Sequence, residues 1–150
     1  MATAGMLTTQ FDYSKLFIWS NKFRTASYTN PTGSPITLTA GTIMGRVFST
    51  NKVYPQVSTA TDGSQVPMGI LQNTYVVAGS ATVTVSYCVC GDVAREQIIL
   101  GGSDTFATVI SLNDSASPAN TVKFGTIEDI LIRSGIVTVA TTENTIADNA

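Results

Sequence analysis

One strictly alternating run limits what this chain can fold into. From Ala81 to Val89 every second residue is apolar (Ala81, Val83, Val85, Tyr87, Val89), and Thr82, Thr84, Ser86 and Cys88 fill the places between. Successive side chains on a strand point to opposite faces, so the run predicts a half-buried strand. One face meets the core, and the other meets water or a partner. The run closes at Gly91, and glycine also cuts the stretch before it, at Gly41, Gly45, Asp62-Gly63 and Gly69. These positions read as structural turns, and Ile36–Leu38, Ile43–Phe48, Val66–Leu71 and Tyr75–Val77 between them read as short strands.

Composition agrees. The 150 residues include 23 threonines, 14 valines and 12 isoleucines, the β-branched types that suit a pleated sheet. This length predicts one domain with a modest core. Charged residues are only 12% of the chain, few enough to point to surface covered by partners.

Beyond Gly91, Val93–Leu100 suits either a strand or one helical turn. Residues 101–121 read as a loop in which Phe106–Ile110 alone carries an ordered pattern. Thr126 then marks a helix start, because its hydroxyl can accept from a backbone N–H and Glu128 and Asp129 suit the positive end of the helix dipole. Ile127, Ile130 and Leu131 follow helical spacing, Gly135 is placed as a left-handed cap, and Ile136–Ala140 resumes a strand.

The first 36 residues differ from the rest. Six of the twelve aromatics fall between Phe11 and Tyr28, and Lys15, Lys22 and Arg24 meet a single acid, Asp12, giving this part +2 and the remainder −4. The cluster Asn30-Pro31-Thr32-Gly33-Ser34-Pro35 reads as a turn or linker. Two accounts of the segment stand: the first strands of the domain, or an arm whose aromatics are buried only on a partner. Added to a partner's sheet edge, such an arm gains main-chain hydrogen bonds and side-chain pockets together. The arm account divides the chain into arm and linker at 1–36, a β-rich domain at 37–141 and a polar tail at 142–150. It assigns partner contact to Phe11, Tyr13, Lys15, Phe17, Trp19, Lys22 and Arg24, and expects a folded domain to survive deletion of residues 1–30.

Much chemistry is excluded. The chain has no histidine, which removes the commonest general base and metal ligand. Cys88 and Cys90 share one strand face, where a bridge would be strained, and two thiols do not complete a zinc site. Gly41–Arg46 lacks the lysine and hydroxyl residue of a phosphate loop. Asp62-Gly63-Ser64 is a turn sequence without the second copy that an aspartic-protease pair needs. No catalytic residue, cofactor, metal or small-molecule substrate is expected. A net charge of −2 argues against nucleic acid as a partner. No apolar run of 18 residues suggests a membrane helix, and the N-terminus lacks the basic start and apolar stretch of a signal peptide. Synthesis in a host cytoplasm is expected.

At LTAGTIMG (Leu38–Gly45) and DGSQVPMGIL (Asp62–Leu71) the chain resembles the lambda-type head decoration proteins of tailed bacteriophages. The later order YCVCG, VAREQIIL and TIEDILIRSGIVTV is similar to theirs, so the resemblance spans roughly residues 37–140. It implies a mainly β protomer, a small β-clip-like barrel or sandwich of short strands with one short C-terminal helix and an extended N-terminal arm. It also implies a homotrimer at local three-fold sites on the outer capsid surface of the virion, partnered by the major capsid protein and stabilising the head. Two other functions compete: another virion attachment component such as a head fibre or minor tail protein, and a carbohydrate-binding module built around Tyr28–Asn30.

Overall fold

The structure, a computed structural model, describes residues 15–112 and 122–140. Its strands are β1 (Phe17–Thr29), β2 (Ile36–Leu38), β3 (Ile43–Arg46), β4 (Val53–Pro55), β5 (Pro67–Leu71), β6 (Tyr75–Val77), β7 (Thr82–Ala94), β8 (Val109–Leu112), β9 (Val122–Thr126) and β10 (Ile136–Val139). Helix α1 spans Ile127–Arg133, and Arg95–Gln97 forms one 3₁₀ turn. The fold is mainly β with one short helix near the C-terminus, as the β-branched composition requires.

The main sheet runs β1-β7-β5-β3-β4, with β10 also paired to β7. β7 organises it. One of its edges carries β1 antiparallel over nearly its full length, from Phe17↔Val93 to Thr29↔Thr82. The other edge is shared: β5 pairs at Tyr87 and Cys88, and β10 runs parallel from Gly91 to Ala94. β2–β6 and β8–β9 form separate antiparallel pairs.

Neighbouring residues on the central strands feed opposite cores, as strand alternation demands. Ile43, Ile70 and Cys88 join a core completed by Ile127, Ile130 and Leu131 of α1 and Ile136 of β10. Met44, Leu71 and Tyr87 join a second core with Tyr28, Leu38, Val53, Val77 and Val85. The helix covers one face of the sheet and β2–β6 covers the other. α1 is set by a capping box: Thr126 accepts from the Asp129 amide, and the Asp129 carboxylate accepts from the Thr126 amide. Those bonds hold the Asp129 carboxyl below its ordinary range.

Gly91 does not close β7. The strand continues to Ala94, and the glycine sits at a bulge, with φ +121° and a backbone bond to the Gly135 carbonyl. Here the β1–β7 register shifts, with Ser20 and Asn21 together opposing Gly91, and the alternation of β7 changes phase across the same stretch. Accordingly the odd-numbered residues up to Tyr87 face the second core, whereas Val93 faces the first. A Cβ at Gly91 would lie 2.7 Å from Asn21 Cα, so glycine is required by space and by backbone angle together.

Gly45 and Gly69 also differ from the turns expected of them, lying inside β3 and β5. Their role is close approach. A Cβ on Gly69 would meet the Tyr87 ring at 2.6 Å, and its absence lets that ring lie across β5. Gly41, Asp62-Gly63 and Gly135 lie outside strands, Gly135 just past the Ser134 cap of α1. The Asp62 carboxylate accepts from the Ser64 amide and hydroxyl at 3.0 and 2.6 Å, bonds that hold its pKa below the usual carboxylate range.

Candidate interaction surface

The aromatic N-terminal segment takes a definite place. Phe17–Thr29 is the edge strand of the main sheet, so within the described residues it is part of the domain. Deleting residues 1–30 would remove a core strand, contrary to the expectation of a folded remainder. Tyr28 is only 2% exposed and its ring meets Tyr54 edge-on at 5.3 Å. Lys52 Nζ donates to Thr29 Oγ1 at 2.8 Å. The sheet therefore curls until the end of β1 reaches β4, the opposite edge, and this end is closed.

The other end of β1 is built differently. Ser20 has φ +53°, and the register against β7 shifts between Phe17 and Phe23. Asn21 stitches this irregular stretch down, donating to the Asp92 carbonyl at 3.0 Å and lying 3.5 Å from Cys88 Sγ. Phe17 is half-buried against the helix-covered core, and its ring meets Phe23 edge-on at 5.1 Å. Trp19 remains 51% exposed and Phe23 38%. Lys15, Lys22 and Arg24 are exposed beside them. No acid occurs between Lys15 and Arg24. Phe11 and Tyr13 lie outside the described residues.

Thus Lys15, Trp19, Lys22 and Arg24 share one exposed stretch, while Phe17 turns partly inward. Phe23, partly exposed beside them, stands outside the set expected from sequence. Strict alternation from Phe17 and Trp19 breaks at the Ser20–Asn21 irregularity, and the sequence carries no plain signal for it.

A second feature joins residues distant in sequence. Arg46, Phe48, Gly63, Val66, Pro67 and Met68 line an apolar groove of about 160 Å³. Phe48 is 63% exposed. Arg46 Nη2 donates to Tyr87 Oη at 3.3 Å, while its Nε–H is shut off from solvent with no acceptor.

Other candidates close down. Tyr28 and Asn30, the proposed carbohydrate neighbourhood, are buried. The Asn30 amide is committed to the Ser34, Val77 and Ala78 carbonyls at 2.8, 3.1 and 3.1 Å, so neither residue can face a glycan. Cys88 and Cys90 are unbridged thiols, and burial pushes the Cys88 thiol up, away from nucleophilic character. Among the described residues no cluster of acids and cysteines could hold a metal, and no helix is long and apolar enough to cross a membrane.

The chain is thus a β-rich domain whose β1 edge exposes aromatic and basic side chains. The sequence model of the bacteriophage lambda head decoration protein D family matches residues 6–109. The chain belongs to that family of phage capsid structural proteins. The match takes in the aromatic segment that the motif resemblance left unaligned, and stops before β9, α1 and β10. A comparison with curated individual proteins finds no significant match. Membership gives the chain a structural role on a phage capsid, in a family not known for catalysis.

Proposed function

We propose that this protein binds the outer surface of its phage head as a homotrimer at local three-fold sites, contacts the major capsid protein through its N-terminal segment, and stabilises the shell. The observation that supports the contact is the exposed, acid-free stretch of β1 bearing Trp19, Lys22, Phe23 and Arg24, continuous in sequence with Phe11, Tyr13 and Lys15. An ordered edge strand presents side chains already fixed in place, so binding costs less conformational entropy than docking an unstructured arm, where each residue costs about 1–2 kcal/mol. Three such edges on one trimer would act together and raise avidity beyond any single contact.

The test uses heads lacking the protein, with binding measured by co-sedimentation. Removal of residues 1–14 and, separately, Trp19→Ala with Lys22→Glu and Arg24→Glu should each leave the fold intact and weaken binding about tenfold or more. Binding equal to that of the unaltered chain would sink the N-terminal assignment. Light scattering of the free protein, and imaging of decorated heads, test the trimer.

A further inference from the structure

We infer that the Arg46–Phe48 groove is a second contact site, one that seats a large apolar side chain of the capsid protein lying beside an Asp or Glu. The inference rests on the capsid-binding reading and adds to it a site remote in sequence from the N-terminal segment.

Arg46 is poorly compensated. Among the described residues its guanidinium has no carboxylate partner, and its hydrogen bond goes to a neutral phenol, Tyr87 Oη, at 3.3 Å. Nε is buried without an acceptor. A cation held partly out of water with so little compensation is left short of an anion. A carboxylate brought alongside would interact more strongly than at an open surface, where exposed pairs contribute little.

The groove's walls are apolar. Phe48, Val66, Pro67 and Met68 supply them, and the Phe48 ring lies against Gly63, where even a Cβ would approach its Cγ to 2.6 Å. A ring backed by main chain and exposed on its other side is a fixed apolar platform. Contiguous apolar surface with one cation at its margin fits an apolar anchor flanked by an acid, and does not fit a glycan or a phosphate chain.

The placement of the groove favours the capsid over a second copy of this chain as its occupant. Arg24 of β1 stands directly opposite Tyr87 in the β1–β7 register, and side chains opposite one another share a face. Tyr87 in turn reaches Arg46 over Gly69. Arg24 and Arg46 therefore lie on the same face of the sheet as the buried Tyr87, so the groove shares a face with Arg24, one of the basic residues assigned to capsid contact.

The experiment compares the unaltered chain with Phe48→Ser and Arg46→Met for binding to heads lacking the protein, alongside thermal melts and solution mass. Phe48 is exposed, so its substitution should leave the melt nearly unchanged and keeps the test valid if Arg46→Met loosens the fold. Binding weakened about tenfold or more for Phe48→Ser, with solution mass unchanged, supports the inference. Unchanged binding overturns it, as does a variant that loses self-association instead of head binding. If the unaltered chain itself fails to bind heads, the capsid reading falls and this site with it.

Discussion

The two ends of β1 pair with the same strand and have opposite characters. From Phe23 to Thr29 the register against β7 advances residue by residue, and Tyr28 is sealed beneath the sheet. From Phe17 to Lys22 the register slips, Ser20 adopts a left-handed backbone, and aromatic and basic side chains stand in solvent. One end is held by packing and is structural. The other is held by backbone bonds, the Asn21 side chain and the half-buried Phe17, with Trp19 and Phe23 partly exposed. A single strand can thus be sealed into a core at one end and expose large side chains at the other, with an irregularity between the two.

Four measurements bear on this contrast between the two ends. The largest is Tyr28→Ala, which should lower stability by about 3–5 kcal/mol in urea denaturation by emptying a sealed site. A loss no greater than that of an exposed residue would erase the distinction between the ends. Gly91→Ala is expected to lower it by about 1–3 kcal/mol, since alanine must take φ +121° against Asn21. Loss of the ordered Trp19–Lys22 stretch, followed by amide exchange, should accompany it.

The third outcome is a pH response. Burial raises the Cys88 thiol in the fold, and Cys88 pairs with Phe23 where the register recovers. A group raised on folding contributes stability that is complete below the unfolded value, about 8.5 for a thiol, and is lost as pH climbs through the shifted range. Stability should therefore decline on the alkaline side, and Cys88→Ala should flatten the first part of that decline. The Tyr28 phenol, raised chiefly by burial, acts in the same sense at higher pH. The smallest effect belongs to Lys22→Gln with Arg24→Gln, within about 0.5 kcal/mol, as expected for exposed side chains. A larger change would mean that the open end bears structural load.

Local chemistry was legible wherever it was sufficient. β2 and β6 fall at their expected limits, β7 contains all of the alternating run except Ala81, and the Thr126 start and Gly135 stop bracket α1. β4 escaped because three residues ending in proline carry no period, and β9 because it is short and includes Gly125. Val93–Leu100 suited either element because it holds both the end of β7 and the 3₁₀ turn. The groove was illegible for a different reason. Arg46 and Phe48 meet Val66–Met68 only because β3 pairs with β5, a tertiary fact that neither stretch encodes alone. The aromatic segment was visible as composition, but its division into sealed and open ends depends on a bulge whose polar residues look ordinary.

The pairing of β1 with β7 has a consequence for the order in which the chain folds. Thr29 and Thr82 are 53 positions apart, and Asn21 and Asp92 are 71 apart. Contacts that close loops this long form late, after their entropy cost has been met by nearer pairings such as β3 with β4 and β5. β1, the first of the described strands to be synthesised, is among the last to be joined, and its aromatics wait unpaired until β7 has left the ribosome. During that interval these aromatics are exposed to other chains, which makes the lysine and arginine among them, Lys22 and Arg24, a safeguard against early aggregation.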